Sequence, residues 1–240
     1  MSGEAATGVP RARSFADLHV HTSASFDSLS RPEAVVRAAA VRGLTHLAIT
    51  DHETLDGALR ARDAAPEDLA VIVGQEVRTS RGDMIGLYLH ERVPAGLSPE
   101  ETAAAIHQQG GLAGLPHPFD RYRGSGAYGR TEDELASLAG VLDYVEGWNA
   151  RIMVGNGNLL AVEFAQAHGL PAVAVSDAHT VMEVGVAYTI VEGSLDDPGQ
   201  MRAGLPAAQL VTGRGSRLLR AGMPLAKLVQ RLRGNRRVAV

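Results

Sequence analysis

The feature that most restricts the fold is a repeated alternation along the chain. Short runs rich in Val, Ile and Leu are followed by Ala-rich amphipathic segments with helix-capping residues. Such a rhythm belongs to βα units arranged around a largely parallel sheet. Strands are expected at residues 15–20, 47–50, 70–73, 112–115, 142–145, 172–175, 186–191 and 209–211, with a hairpin over 77–89 interrupted at Arg81-Gly82-Asp83. Helices are expected at 32–42, 55–65, 133–138 and 159–168, and from Pro99 to the Gly110-Gly111 pair. Two capping boxes support them, Ser30-Arg31-Pro32-Glu33 and Ser98-Pro99-Glu100-Glu101. No low-complexity linker and no further repeat divides the chain, which reads as one domain. Residues 1–14 are expected to be a flexible lead-in, 15–213 the α/β body, and 214–240 a basic amphipathic helix and tail. The Gly- and Arg-rich stretch 118–130 is the longest irregular segment and is expected to be functional for that reason.

Composition narrows the chemistry. The chain has no cysteine, which removes disulfides, thiolate nucleophiles and thiolate metal sites and leaves only N and O ligands. No run of about 18 apolar residues occurs and the first residues carry no apolar signal core, so a cytoplasmic protein without a membrane partner is expected. The net charge of −4 is unevenly spread: eight Arg and Lys residues and no acid follow from Arg214, leaving fifteen bases against 27 acids elsewhere. Over 221–232, Met223, Leu225, Leu228, Val229 and Leu232 recur at helical spacing. The expectation is a helix docked by that apolar face with its basic face in water, in preference to a nucleic-acid or membrane contact.

Polar residues cluster at the C-terminal ends of the expected strands. His19 and His21 end the first, Asp51 and His52 follow the second, Glu76 the third, and His117 the strand at 112–115. Glu146 and Asn149 follow the strand at 142–145, and Asp177 and His179 follow the one at 172–175. In a parallel barrel these ends meet on one face, where barrel enzymes build their sites. His19-Val20-His21 sets two imidazoles on one face of an extended strand, and Asp177-Ala178-His179 repeats the geometry with a carboxylate. Neutral imidazoles and carboxylates together are ligands for Mn, Fe or Zn. His46, His90, His107 and His168 fall at strand starts, helix faces or caps and are left out; Trp148 is either core or pocket wall.

Five segments resemble the successive motifs of the PHP (polymerase and histidinol phosphatase) superfamily: Asp17-Leu18-His19-Val20-His21-Thr22-Ser23, Ile49-Thr50-Asp51-His52, Gly74-Gln75-Glu76, Pro116-His117-Pro118-Phe119 and Ser176-Asp177-Ala178-His179-Thr180. The resemblance implies a distorted (β/α)7 TIM-like barrel holding two or three divalent ions that hydrolyses phosphate esters. It implies that His19, His21, Glu76 and Asp177 hold one ion, that Glu76 bridges to a second with His117, and that Asp27, His52 and His179 hold a third. Asp83 stands where many members carry a histidine and is the candidate ligand there. Glu146 or Asn149 stands in for another histidine that this chain lacks.

Coordination can bring the pKa of water to about 7, so no Ser or Cys nucleophile is needed. Asp51 is the candidate proton acceptor or the partner that orients a ligand imidazole. Arg121, Arg123, Asn149 and Arg151 are the candidate substrate-binding residues, because guanidinium forks suit phosphate oxygens. The function expected is a phosphoesterase acting on a small phosphorylated metabolite or nucleotide. The rivals are an exonuclease or oligonucleotide phosphodiesterase, an amidohydrolase-like C–N hydrolase, and an inactive barrel that binds.

Overall fold

A computed structural model describes residues 13–238. Its strands are β1 (Arg13–Val20), β2 (His46–Ile49), β3 (Ala70–Thr79), β4 (Gly82–Leu87), β5 (Leu112–Leu115), β6 (Tyr144–Asn149), β7 (Ala172–Val175), β8 (Tyr188–Glu192) and β9 (Gln209–Val211). The helices are α1 (Pro32–Val41), α2 (Asp56–Asp63), α3 (Pro99–Gln108), α4 (Glu132–Ala139), α5 (Gly157–Ala167), α6 (Pro198–Gly204), α7 (Arg217–Ala221) and α8 (Met223–Leu232). One sheet takes the order β7-β6-β5-β4-β3-β2-β1-β8-β9. A parallel bridge between Val20 and Ala178 joins the end of β1 to the chain leaving β7 and nearly closes the sheet into a barrel. The distortion has a local cause. The turn at Ser80-Arg81 sends β4 back antiparallel to β3, and β5 then pairs antiparallel to β4, so the hairpin supplies a barrel strand where a helix crossover would otherwise stand.

Two apolar layers result. Ala16, Leu18, Ile72, Ile85, Leu87, Leu112, Tyr144, Val173 and Val175 project from the strands into the barrel interior, closed below by Leu195, Met201 and Leu205. Val20, Leu47, Ile49 and Val77 instead pack against Val35, Val36, Ala39, Ala58, Ala103 and Ile106 of the surrounding helices. β1 therefore changes parity. Leu18 faces the interior and Val20 the helices, and the pairing register with β2 shifts between Asp17 and Val20. A bulge of this kind re-aims every residue beyond it. Here it turns His19 and His21 into the mouth of the barrel above Leu18.

Several expectations shift. Arg13 and Ser14 are not part of a flexible lead-in; they pair with Glu192 and Val191 in the β1–β8 ladder, while 1–12 lie outside the described residues. β3 runs on to Thr79, so Glu76 lies within a strand, opposite Ile85, rather than after one. β6 starts and ends later than expected and contains both Glu146 and Asn149. Ser98 closes its capping box with Glu101 as expected. Ser30 does not: its hydroxyl donates to the carbonyl of His179 at 3.2 Å, so Arg31 becomes the N-cap of α1 without a side-chain bond.

The C-terminal helix departs most. Leu225, Leu228 and Leu232 are 63%, 54% and 80% exposed, so the leucines of the stripe face water, while Met223 and Val229 are half-buried. The residue of α8 that is buried is Gln230, whose amide finds three backbone acceptors below it. That satisfied polar contact decides the orientation of the helix, since a buried amide is tolerated only when it is hydrogen-bonded. No helix among the described residues is long and apolar enough to cross a membrane.

Candidate metal centre

At the mouth of the barrel the side chains of β1, β3 and the loops after β1, β2, β5 and β7 converge. His19 Nε2 and His21 Nε2 lie 2.9 Å apart, and each is 3.3 Å from Glu76 Oε2. Asp177 Oδ1 is 3.7 and 3.6 Å from the same two nitrogens. On the far side of His21, His52 Nε2 and His179 Nε2 are 3.6 and 3.2 Å from Asp27 Oδ2. His117 Nε2 is 3.1 Å from Glu76 Oε1. Among the described residues three groups of candidate ligands follow: His19, His21 and Glu76; Glu76, Asp83 and His117; and His21, Asp27, His52 and His179. Glu76 and His21 each belong to two of them, so the groups form one continuous cluster.

The spacing fits divalent ions. Four tetrahedral ligands at about 2.1 Å from a common ion stand about 3.4 Å from one another. The carboxylate–imidazole separations above scatter around that edge, longer than most hydrogen bonds and far shorter than unrelated neighbours. The donor set is also right: buried imidazole nitrogens and carboxylate oxygens with lone pairs turned inward. Burial and the neighbouring Arg151 push the His179 imidazole down to about 3, toward the neutral form in which imidazoles act as metal ligands. Burial would raise the carboxyl of Asp177, but Arg123 above all, with His19 and Arg151, holds it well below the ordinary carboxylate range.

Around the cluster lies a layer of residues that hold the ligands in place. Glu146 is one. Its Oε1 is 2.5 Å from His19 Nδ1, and its Oε2 accepts from the His117 backbone N–H and from Asn149 Nδ2, both at 2.8 Å. Neither Glu146 nor Asn149, the two candidates for a missing ligand histidine, belongs to a group of candidate ligands among the described residues. Asn149 is fully buried, bridges Glu146 to Asp177 Oδ2 at 3.0 Å and is not among the residues lining the cavity. On a regular strand, residues three apart face opposite sides. The register shift between Glu146 and Trp148 is what brings 146 and 149 to one face. Trp148 belongs to neither alternative posed for it: its indole N–H donates to Gly213 at 2.7 Å and ties β6 to the segment after β9.

Asp51 is completely buried, and both its oxygens accept from Thr22, one from the backbone N–H and one from the hydroxyl, each at 2.5 Å. It therefore braces the turn that follows His21 and does not face the cavity. Gly57 at the start of α2 makes room for this pair, since a Cβ there would lie 1.9 Å from Asp51 Oδ2 and 2.2 Å from Thr22 Oγ1. Gly57→Ala is expected to lower stability by about 1–3 kcal/mol, despite the roughly 1 kcal/mol that the change gains in an open helix, as measured by denaturant unfolding.

The arginines separate. Arg121 is exposed, its guanidinium 5.2 Å from the Tyr122 ring, and it does not line the cavity. The two arginines sit on the turn over 121–124, which leaves Arg121 outside the cavity lining and Arg123 within it. Arg123 turns inward and contacts Asp177 through Nη1, Asp120 through Nε at 2.7 Å and Asn149 through Nη2 at 3.3 Å. Arg151 is 7% exposed and reaches His179 Nδ1. Asp83 lines the cavity and is paired with Arg78 Nη1 and Arg237 Nη2, each at 3.0 Å. His117 and Asp177 both adopt positive φ, 31° and 51°. Such conformations cost about 1–3 kcal/mol each in non-glycine residues and gather at functional sites.

Sequence reasoning did not anticipate Asp17, which accepts from the Ser176 backbone and hydroxyl and from Gly185 N–H and so ties β1 to the Asp177 loop. Nor did it anticipate Glu183, which accepts from the His179 N–H and the Thr180 hydroxyl. A signal for Asp17 was available, since a charged residue inside an otherwise apolar strand needs a partner.

Comparison with known proteins gives these features a setting. The PHP domain model matches residues 17–131, and a PHP-associated model matches 155–210. An uncharacterized protein of Methanocaldococcus jannaschii is 34% identical over 172 residues, covering 72% of this chain and 68% of its own length. The error-prone DNA polymerase of Mycobacterium tuberculosis is 41% identical over 118 residues, 44% of this chain but 11% of the polymerase. Among solved structures, a two-domain protein of Bacteroides vulgatus described as containing a predicted PHP-like metal-dependent phosphoesterase superposes with a TM-score of 0.71 at 16% identity, over 85% of this chain and 66% of that one. Endonuclease Q bound to a 27-mer duplex with an abasic lesion superposes at 0.56 and 16% identity, over 80% of this chain and 56% of that one. At such identities the likeness to the solved structures is one of fold, a TIM-like barrel.

Proposed function

The chain belongs to the PHP family of metal-dependent phosphoesterases, and from that membership we propose that it hydrolyses the phosphate ester of a small phosphorylated metabolite or nucleotide. The observation that carries this reading is the sharing of Glu76 and His21 between adjoining groups of buried ligands, a layout suited to two or three ions a few ångströms apart. His19, His21, Glu76 and Asp177 would hold one ion, Glu76, Asp83 and His117 a second, and Asp27, His52 and His179 a third. When bound, Mn, Fe or Zn supplies Lewis acidity toward the phosphoryl oxygens and an activated water at neutral pH.

The chain's own residues do the rest. Arg123 and Arg151 present cationic forks on the side of Asp177, where they can orient phosphoryl oxygens as charge grows on them. Glu146 holds the His19 ring in the tautomer that leaves Nε2 free to coordinate. Asn149 keeps Asp177 turned inward, and Asp51 acts as a positioning residue through Thr22. The cavity above the cluster measures about 290 Å³, at the lower end of small-molecule sites, which favours a compact ester over a long polymer.

Elemental analysis of the purified protein followed by a phosphate-release screen over sugar phosphates, nucleotides, cyclic phosphates and short oligonucleotides tests the reading. At least two ions per chain, release from a small ester, and loss of release on chelation are expected. At a free metal concentration 100 times its Kd, the ion should also add about 2.7 kcal/mol of stability. Fewer than one ion per chain after metal-supplemented growth would defeat the proposal, and cleavage confined to oligonucleotides would move the substrate to nucleic acid.

A further inference from the structure

The chain beyond residue 210, where the family matches end, forms one wall of the cavity. α8 is fastened there by Gln230, which is 0% exposed and donates its side-chain amide to the carbonyls of Ser23 and Ser25, each at 2.8 Å, and of Ser28. Those carbonyls belong to the loop that carries Phe26 and Asp27. After α8, Gly234 takes φ +91°, in the left-handed region that glycine reaches without strain. The Asn235 N–H then bonds back to the Gln230 carbonyl at 2.9 Å. The chain reverses, and Arg237 comes over the cavity onto Asp83.

Two cations thus arrive at the mouth. Lys227 Nζ and the Arg237 guanidinium carbon stand 5.6 and 5.9 Å from the centroid of Phe26, whose ring lies 4.7 Å from that of His52. Among the described residues Lys227 has no carboxylate partner. Charge balance shows why this matters. The side chains lining the cavity include the carboxylates Asp27, Glu76, Asp83 and Asp177 and, in equal number, the cations Arg123, Arg151, Lys227 and Arg237. Divalent ions added to that balance leave a positive surplus; of the two cations at the mouth, Arg237 is paired with Asp83 and Lys227 contacts no candidate ligand. Such a surplus suits a substrate with more than one anionic group.

We propose that Lys227 and Arg237 form an anion subsite at the mouth of the metal centre, and that the substrate carries a carboxylate or a further phosphate besides the phosphoryl group that is cleaved. This rests on the phosphoesterase reading for the cleaved group alone. The subsite recognises the uncleaved end of the molecule, while the ligand cluster and Arg123 face the other.

The matched probes are 3-phosphoglycerate and glycerol 3-phosphate, which differ in one carboxylate, applied to the full-length Mn-loaded protein. Titration calorimetry should give at least about tenfold tighter binding of 3-phosphoglycerate. Lys227→Ala should erase that preference and Lys227→Arg should retain most of it. Metal content and the affinity for glycerol 3-phosphate should be the same in both variants, because Lys227 is exposed and touches no candidate ligand. Equal affinities for the two probes in the unaltered protein, no binding of either at millimolar concentration, or a preference that survives Lys227→Ala would each overturn the subsite. Phosphate release from both probes without any Lys227 dependence would leave the phosphoesterase reading standing and remove the subsite. A Lys227-dependent preference without release from any ester in the screen would do the reverse.

Discussion

Glu76→Gln is expected to lower kcat/KM for phosphate release by at least about a thousandfold, about 4 kcal/mol of transition-state stabilisation, and to strip ions from the protein at the same time. One carboxylate here touches four imidazoles. Oε1 is 3.1 Å from His117, and Oε2 is 3.3 Å from His19, 3.3 Å from His21 and 3.4 Å from His52. The amide has the same shape, but it replaces one acceptor oxygen with a donor whose hydrogens point where lone pairs are needed. It also removes the negative charge that would offset the ions Glu76 helps to hold. Kinetics on the variant, with elemental analysis and circular dichroism on the same preparation, make the check. His107→Ala is the control, because His107 pairs with Asp143 at 2.8 Å on an exposed surface away from the cluster. A folded Glu76→Gln protein with full ion content and full turnover would show that the cluster is not the reaction centre.

Glu146→Ala should weaken metal binding by about ten- to hundredfold without removing any residue that faces the ions. The carboxylate is 1% exposed and serves the His19 ring, the His117 backbone and Asn149 together, so its loss leaves the His19 Nδ1 and His117 N–H groups without that acceptor and Asn149 Nδ2 with Asp177 alone. A stability loss of about 1–3 kcal/mol should accompany the change. Glu146→Gln can still accept through one oxygen and should recover part of both losses. Metal titration in a competing chelator reads the affinity directly. Unchanged affinity in Glu146→Ala would mean that the His19 ring is held by its packing alone.

The two predictions differ in how far they could be read in advance. Glu76, His19, His21, His117 and Asp177 stand out in the chain because ligand-type residues recur at strand ends, and the βα rhythm carries strand ends to one face of a barrel. That inference needs only local periodicity and the rule that parallel strands share a direction. Glu146 was visible as a candidate, but its task was not, since a regular strand puts 146 and 149 on opposite faces. Only the register shift in β6 unites them.

The same limit applies elsewhere. Arg121 and Arg123 are equivalent as letters, yet one faces water and the other Asp177. The stripe of leucines in α8 predicts an inward apolar face by periodicity, and Gln230 reverses it by meeting three carbonyls that lie more than 200 residues earlier in the chain. By itself, then, the sequence determined the barrel class, the ligand types and the strand ends that bring them together, because these follow from side-chain period and chemical type within a few residues. The tertiary structure decided which carboxylates join the candidate ligand cluster and which hold imidazoles, which arginine enters the cavity, and that the C-terminal segment walls it. Those outcomes depend on bulges that invert strand parity and on buried polar groups that must find partners far along the chain.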